Sequence, residues 1–207
     1  MTLDRFFVKS RMPNSTSAMT SAANNNPSLS EPILRYQNAF FEVYETKADF
    51  GSSEKVYYTV DFGRRVGAIV SHKNKILMVR QYRFFLKGNS WEIPGGSVKE
   101  RENTKSAVIR ECHEESGILL KDPKTLLSYN VGHEGVDNPT DVFYAENFEV
   151  DDKWAATGLE TIEVHWVELE TCLKMIEMGE ISDSLSILAI LAYNTTIHEQ
   201  FSNTQPN

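Results

Sequence analysis

Three glutamates stand close together in the middle of the chain, at spacings that place them on one side of a helix. Glu114 follows Glu111 by three residues and Glu115 follows it by four. Side chains at these spacings are neighbours on a helix surface, so the three carboxylates share one face. Like charges so close together repel each other, which indicates a positive group beside them. Carboxylate oxygens are hard ligands that favour Mg²⁺, Mn²⁺ or Ca²⁺ over Zn²⁺.

The helix that carries these glutamates has recognisable ends. Asn103 or Thr104 can cap its N-terminus, and Gly117 can supply the left-handed residue that ends it. The Gly95-Gly96 turn precedes the helix, and a glycine turn allows the Gly95 carbonyl to approach the same cation. The sequence therefore predicts a cation site where a glycine turn meets an acidic helix.

Arg110 and Glu102 are expected to form an ion pair that fastens the preceding loop to the helix. A solvated acidic face is the usual explanation of a glutamate-rich helix. The length of the pattern around these glutamates argues against that explanation in this chain.

The segment from Gly96 to Ile118 resembles the Nudix box. The pattern is Gly, five residues, Glu, seven residues, Arg-Glu, an aliphatic-like residue, any residue, Glu-Glu, any residue, Gly and an aliphatic residue. Every fixed position is present, with Cys112 where Leu or Ile is commoner. The resemblance implies an α/β fold, a Nudix α/β/α sandwich with a mixed sheet. It also implies Mg²⁺-dependent hydrolysis of a nucleoside diphosphate linked to another group, with Mn²⁺ as the alternative cation.

The resemblance also assigns roles to single residues. The implied metal ligands are the Gly95 carbonyl, Glu111, Glu114 and Glu115. Catalysis would use Glu114 or Glu115, with Glu160 near the last strand as a competing general base and Glu163 as the second choice there. The sequence does not decide between these bases.

Two further stretches resemble the nucleotide-sugar branch of the family, which is ADP-ribose pyrophosphatase-like. "VRQYR" followed by "WEIPGG" matches that branch, and so does "GEISDSLSILAILA" near the C-terminus. By this resemblance Arg83 contacts the phosphates or ribose of the substrate, and Arg64 is a weaker candidate. Relatives that cleave ADP-ribose commonly carry a proline near the positions of His133 and Glu134. Here Pro139 comes several residues later, which puts ADP-ribose itself in doubt.

The remaining elements follow from alternation and turn residues. Residues 1–32 are rich in Ser, Asn, Thr and Pro, and we expect a disordered tail. Residues 33–200 are expected to form the Nudix domain, with a leading β-hairpin at 36–62, the box at 96–118 and a polar functional loop at 132–139. Residues 201–207 are expected to fray.

Composition limits the partners. The chain has 207 residues and a formal net charge of −8, which disfavours general binding to nucleic acid or to anionic membranes. No run of residues approaches a membrane span. Cys112 and Cys172 are too few for a disulfide scaffold, so we expect a reducing cytoplasm. The expected partner is a small nucleotide diphosphate, and the family and the aromatic hairpin favour a homodimer.

Two other functions fit parts of the pattern. A housecleaning hydrolase of oxidised nucleoside triphosphates would have the same box, but such members usually lack a leading hairpin. A non-catalytic nucleotide-sugar sensor often loses the box carboxylates. The hairpin at 36–62 and the three retained glutamates therefore favour the nucleotide-sugar hydrolase.

Overall fold

The computed structural model describes residues 26–155 and 161–202, with the side chains of 161–162 and 197–202 left out of the description. Its strands are β1 (Ser28–Leu29), β2 (Ile33–Gln37), β3 (Glu42–Asp49), β4 (Glu54–Asp61), β5 (Arg65–His72), β6 (Lys75–Arg83), β7 (Gly88–Glu92), β8 (Gly95–Ser97), β9 (Ile118–Leu120), β10 (Lys124–Gly132), β11 (Val136–Ala145), β12 (Phe148–Val150) and β13 (Thr161–Glu168). Its helices are α1 (Thr104–Ser116), α2 (Leu169–Glu177) and α3 (Ser184–Ser202). Among these described helices none is long and apolar enough to cross a membrane.

One large mixed sheet runs through the molecule. Its strand order is β1-β3-β4-β11-β5-β6-β13, with β2, β7, β8 and β10 paired at the sides of β3, β6, β5 and β11. Strand β11 runs parallel to β4 and to β5, and the other pairs are antiparallel. Strands β9 and β12 form a separate small sheet.

Helices cover both faces of the central strands, so the predicted α/β/α sandwich is confirmed. Successive side chains of a strand point to opposite faces. On β6, Leu77 packs with Val108 and Cys112 of α1, whereas Ile76 and Met78 pack in the second core, with the apolar residues of α2 and α3. The two hydrophobic layers therefore hold α1 on one side of β6 and α2 and α3 on the other.

The leading hairpin is confirmed as β3 and β4 within the predicted span, and β1 and β2, which start earlier, extend it into a small sheet. Strands β3 and β4 pair along their whole length, and β4 continues into the main sheet through its parallel pairing with β11. Strand β1 lies inside the segment expected to be disordered, so the limit placed at residue 32 is wrong. Residues 1–25 lie outside the described part of the chain.

The polar loop expected at 132–139 is mostly strand. Only the turn at 133–135 separates β10 from β11, because Val136 and Asp137 pair with β4 and Thr140 begins the pairing with β5. Pro139 lies within β11, opposite Asn130 of β10. The partners that extend this strand are distant in sequence, so the local run of polar and glycine residues predicted a longer loop.

Helix α1 has the ends that its sequence predicted. The Asn103 side chain caps it by accepting a hydrogen bond from the Ser106 amide at 2.8 Å. At the other end Gly117 has φ +72°, and its amide donates to the His113 carbonyl at 2.9 Å. A Cβ atom on Gly117 would lie 2.7 Å from Cγ of Trp154. The end of α1 is thus fixed both by backbone conformation and by an aromatic ring.

A pair of substitutions separates these two constraints. Gly179 also has a positive φ, +75°, after α2, but a Cβ there would meet nothing within 4 Å. We expect Gly179→Ala to lower the free energy of unfolding by about 1–2 kcal/mol, the cost of a left-handed non-glycine residue. Gly117→Ala should lower it by more, since Trp154 must also move. Urea denaturation of both variants measures the difference, and equal losses would show that the ring does not constrain the turn.

Candidate active site

Strand β8 is held by β5 on one edge and turns its other edge toward α1. On the β5 side, the Pro94 carbonyl accepts from the Ala68 amide at 2.8 Å and the Val98 amide donates to the Arg64 carbonyl at 2.9 Å. In an antiparallel pair alternate residues direct their backbone groups to opposite edges. The backbone groups of Gly95 therefore face away from β5.

Side chains of α1 bind the edge that β8 presents. The Gly95 amide donates to Oε2 of Glu115 at 2.9 Å, and the Ser97 carbonyl accepts from Nη2 of Arg110 at 3.0 Å. Because N–H and C=O of one strand residue point to the same edge, the Gly95 carbonyl lies on the side of Glu115. This is the edge on which the sequence placed a backbone ligand.

The two glycines of β8 lie so close to neighbouring atoms that no side chain would fit at either position. A Cβ atom on Gly96 would lie 2.5 and 2.6 Å from the two carboxylate oxygens of Glu111. A Cβ atom on Gly95 would lie 2.5 Å from the Val66 carbonyl oxygen. Any side chain at Gly96 would displace Glu111, so Gly96 allows that carboxylate to lie against the backbone, whereas Gly95 allows β8 to lie close to β5.

Glu115 is a partly buried carboxylate of α1, and both its oxygens accept a hydrogen bond. Oε1 accepts from Nε2 of Gln81 at 2.7 Å, and Oε2 accepts from the Gly95 amide. Burial raises the pKa of the Glu115 carboxyl to about 7, and the charge of Glu111 adds to this shift. The two hydrogen bonds and the charge of Arg83 lower the pKa but do not offset burial. The environment of Glu115 is therefore short of positive charge.

Arg110 lies at the centre of the remaining carboxylates. Its guanidinium donates to Glu102 at 2.8 and 2.9 Å, so the predicted ion pair with Glu102 is present. The same group also donates to Glu111 at 2.6 Å and to Glu114 at 3.1 Å. These last two bonds differ from the expectation from sequence, in which Glu111 and Glu114 bind a cation and not an arginine.

The site fits a divalent cation by its chemistry. Glu111, Glu115 and the Gly95 carbonyl offer only oxygen atoms, which Mg²⁺ and Mn²⁺ prefer. Each Glu115 oxygen accepts one hydrogen bond and keeps capacity for a further partner. Within residues 26–155 and 161–202, no three acidic, His or Cys side chains already converge as a metal site. Glu111 would therefore have to exchange Arg110 for the cation, and the assigned ligands stay a prediction.

Arg83 lies on the same face of β6 as Gln81, two residues further along the strand. Its Nε donates to Oε1 of Glu92 at 2.8 Å and its Nη2 to Oε2 at 2.5 Å. Glu92 is buried, while the Arg83 side chain is 32% exposed. A two-pronged ion pair fixes the guanidinium plane, and its charge reaches Glu115. Arg83 thus belongs to the same group of side chains as the box glutamates.

The other sequence-predicted residues have different positions. Arg64 precedes β5, and its Nη1 lies 3.6 Å from Oδ2 of Asp141 in a partly exposed pair. Within the described part of the chain, no hydrogen bond or ion pair joins the Arg64 side chain to the glutamates of α1. Glu160 lies outside the described residues.

Glu163 lies on the opposite face of the sheet from α1. It pairs with Arg80 at 2.8 Å, and His165 contacts its other oxygen at 2.9 Å. His165 in turn packs edge-on against Trp91, which belongs to the α3 side of the core. The hydrogen bond with His165 lowers the pKa of Glu163. The suggestion of Glu163 as general base is therefore wrong, since its side chain points away from the carboxylate group.

Gln81 and Glu92 are site residues that the sequence analysis missed. The period of two along "VRQYR" places Gln81 on the face of Arg83 once β6 is known to be a strand. The alternation was therefore a usable signal for Gln81. Glu92 could not be found in this way, because its pairing with Arg83 depends on the register of β7 against β6.

The chain matches known proteins over this same region. Residues 61–185 match the family model described as the NUDIX domain. This chain belongs to the Nudix family. The matched span includes β8, α1 and the strand end that carries Arg83.

Relatives of this Nudix chain include enzymes that act on nucleotide compounds. It is 32% identical over 122 residues to the ADP-ribose pyrophosphatase of Bacillus subtilis (strain 168), covering 58% of this chain and 66% of that protein. It is 28% identical over 131 residues to the CMP-5'-(N-acetyl-N-hydroxy-3-aminopropyl)phosphonate hydrolase of Streptomyces rubellomurinus, covering 63% of each. Each match spans slightly less than two thirds of the relative.

A solved structure shares the fold of this Nudix chain. The crystal structure of an ADP compounds hydrolase superimposes with a TM-score of 0.74, at 14% identity, over 87% of this chain and 98% of that one. At this identity the likeness concerns the fold alone. It extends beyond the family match and includes most of the described chain.

The ion pair between Glu102 and Arg110 is expected to make the free energy of unfolding depend on pH. Hydrogen bonds from Arg110 lower the pKa of Glu102 from 4.5 to about 2, against the effect of burial. The pair therefore stabilises the fold above the unfolded pKa of 4.5, and this stabilisation is lost as the pH falls from there toward 2. We expect Glu102→Gln to lower the free energy of unfolding by about 1–3 kcal/mol at pH 7. The difference from the original protein should shrink below about pH 4.5.

Urea denaturation at a series of pH values checks this expectation. Glu170→Gln is the matched control, because Glu170 is 79% exposed in its pair with Lys174 and should matter much less. A loss that is equal for both variants, or that does not change with pH, would contradict the role of Glu102.

Proposed function

We propose that this Nudix protein hydrolyses the diphosphate bond of a nucleoside diphosphate linked to a second group, releasing two monophosphates. The observation that carries the proposal is the buried carboxylate of Glu115, held by Gln81 and Gly95 beside Glu111 and within the field of Arg83. A carboxylate so placed favours a bound cation beside it. A diphosphate substrate also needs a cation, because its own negative charge must be neutralised during hydrolysis.

In this proposal the role of each residue follows from its position in the site. Glu111, Glu115 and the Gly95 carbonyl hold Mg²⁺, with Mn²⁺ as the alternative. When bound, the cation neutralises diphosphate oxygens and lowers the pKa of a bound water. Arg83, already oriented by Glu92, binds phosphate oxygens through its planar group. Water adds to one phosphorus, the bridging P–O bond breaks, and the leaving phosphate keeps the bridging oxygen.

The general base is proposed among Glu114, Glu115 and Glu160. Glu115 has both oxygens engaged by hydrogen bonds, which suits a fixed ligand better than a proton carrier. Glu114 is 49% exposed, with Lys99 at 3.7 Å and Arg110 at 3.1 Å. These placements favour Glu114 over Glu115 for proton transfer or for orienting water.

The substrate is proposed to be a nucleotide sugar such as ADP-ribose. The names of the Bacillus and Streptomyces relatives support a substrate that contains a nucleoside 5'-phosphoryl unit. A panel of ADP-ribose, ADP-glucose, GDP-mannose, UDP-glucose, NADH, diadenosine polyphosphates and oxidised nucleoside triphosphates with Mg²⁺ tests this, scored by released phosphomonoester. Turnover of the triphosphates alone would replace the nucleotide-sugar assignment.

Glu115→Gln tests the cation site directly. The variant keeps the shape of the side chain and removes one charge, so we expect turnover to fall at least about a hundredfold. Glu149→Gln is the control, because Glu149 is an exposed residue of β12 whose ion-pair partner is Lys121. Turnover within twofold of the original protein in Glu115→Gln would refute the ligand assignment.

A homodimer is proposed through the leading sheet. Strands β2 and β4 expose several large apolar side chains, among them Ile33, Leu34, Tyr36 and Tyr58. Exposed large apolar side chains gathered on one small sheet are typical of interaction sites. A reducing cytoplasm is proposed as the location, supported by the two buried free cysteines Cys112 and Cys172.

Sedimentation equilibrium at micromolar concentration tests the dimer. We expect twice the chain mass of 23.5 kDa, and a shift to the single mass in Leu34→Lys. Leu188→Lys, an exposed apolar position on α3, should keep the double mass. A single mass for the original protein would remove the proposal.

A further inference from the structure

Gln81 is a polar side chain in a place where an apolar one would be expected. It lies on β6 on the face that packs against α1 and is 1% exposed. Leu77 and Val79 precede it on the same face and are fully buried. Among the described residues, the hydrogen-bond partner of this side chain is the carboxylate of Glu115, to which Nε2 donates at 2.7 Å.

The carbonyl oxygen of the same amide has no hydrogen-bond partner among the described residues. Among the described residues, Oε1 of Gln81 is the one buried side-chain oxygen or nitrogen without a hydrogen-bond partner. Buried polar atoms are normally paired, and an unpaired one destabilises the fold. Turning the amide over would place two acceptor oxygens against each other and leave the amino group unpaired instead. The orientation of Gln81 is therefore set by Glu115 and not by its own need for partners.

The hydrogen bond from Gln81 completes the placement of Glu115. The Gly95 amide fixes Oε2, and Nε2 of Gln81 fixes Oε1. One donor on each oxygen stops the carboxylate from rotating about its last bond, and each oxygen keeps capacity for one more partner. Removing Gln81 would leave the carboxylate held at one oxygen only.

We propose that Gln81 is a positioning residue, which holds the Glu115 carboxylate in the orientation that binds the divalent cation. The inference rests on the proposed function, because it assumes that Glu115 is a ligand. It adds a residue outside the Nudix box that acts through Glu115 and does not itself touch the cation. Hydrogen-bonded partners of metal ligands commonly alter metal affinity by about 10- to 100-fold when they are replaced.

Gln81→Met is the variant to test, because methionine has a similar length and cannot hydrogen-bond to the carboxylate. Mn²⁺ alone is titrated into the substrate-free protein by calorimetry. We expect the dissociation constant for Mn²⁺ to rise at least about tenfold. In the activity assay the Mg²⁺ concentration for half activation should rise by a similar factor. The KM for substrate at saturating Mg²⁺ should change less than about threefold, since Gln81 acts on the cation site.

Val79→Ala is the matched control, because Val79 is fully buried, lies two residues before Gln81 on the same face of β6, and loses only apolar volume. We expect it to lower the melting temperature but to keep the Mn²⁺ dissociation constant within twofold. Equal weakening of Mn²⁺ binding in both variants would show that Gln81 acts only through general packing and would overturn the inference. Unchanged Mn²⁺ binding in Gln81→Met would overturn it as well.

A second variant covers the case in which Gln81→Met does not fold. Gln81→Asn keeps the amide but is one methylene shorter, so it should not span the 2.7 Å contact and should also weaken Mn²⁺ binding. Glu115→Gln separates the two proposals. If Glu115→Gln retains Mn²⁺ binding and turnover, the proposed function fails; if it loses both while the Gln81 variants are unaffected, only the role of Gln81 fails.

Discussion

The structure depends on the burial of one carboxylate where α1 meets β8. Glu115 is drawn into this contact by the Gly95 amide and by Gln81, and α1 can come so close because Gly96 has no side chain to meet the Glu111 carboxylate. Burial of a charge without a full counter-charge is unfavourable and appears as the raised pKa of Glu115. The same contact that fixes the helix on the sheet therefore creates the need for a cation.

Arg110 supplies positive charge to the neighbouring carboxylates but makes no hydrogen bond to Glu115 among the described contacts. It contacts Glu102, Glu111 and Glu114 from one guanidinium, so it neutralises the outer carboxylates and leaves Glu115 to neutral donors. Its bonds to Glu102 and to the Ser97 carbonyl would persist if Glu111 turned to a cation. The loop and helix can thus stay joined while the ligand exchanges its partner. The bond that stabilises the loop is therefore separate from the bond that would have to open if Glu111 bound the cation.

How much of this the sequence could predict depended on the range of the interactions. The caps of α1, the glutamate face and the Arg110 ion pair are local, and the spacing predicted them. The extent of β11 depends on pairing with β4 and β5, so the residues Val136 to Pro139 were taken for a loop. Glu163 was misjudged because its face depends on the register of β13 against β6, which places Glu163 opposite Arg80 on the far face. The second hydrogen bond of Glu115 needed the packing of α1 on β6, which no local pattern contains.

The balance of charge at this site sets a condition for binding the proposed anionic diphosphate. The carboxylates joined by the contacts of α1, β8 and the end of β6 belong to Glu92, Glu102, Glu111, Glu114 and Glu115. The cationic side chains that contact them are Arg83, Lys99 and Arg110. With all five carboxylates ionised, the described residues of this group carry five negative charges against three positive ones, and the excess of two equals the charge of one divalent cation. A single cation would then only neutralise the protein, and the diphosphate would still bring its own negative charge into the site. Binding of such a substrate requires further positive charge, either from Arg83 released in part from Glu92 or from additional cations carried with the phosphates.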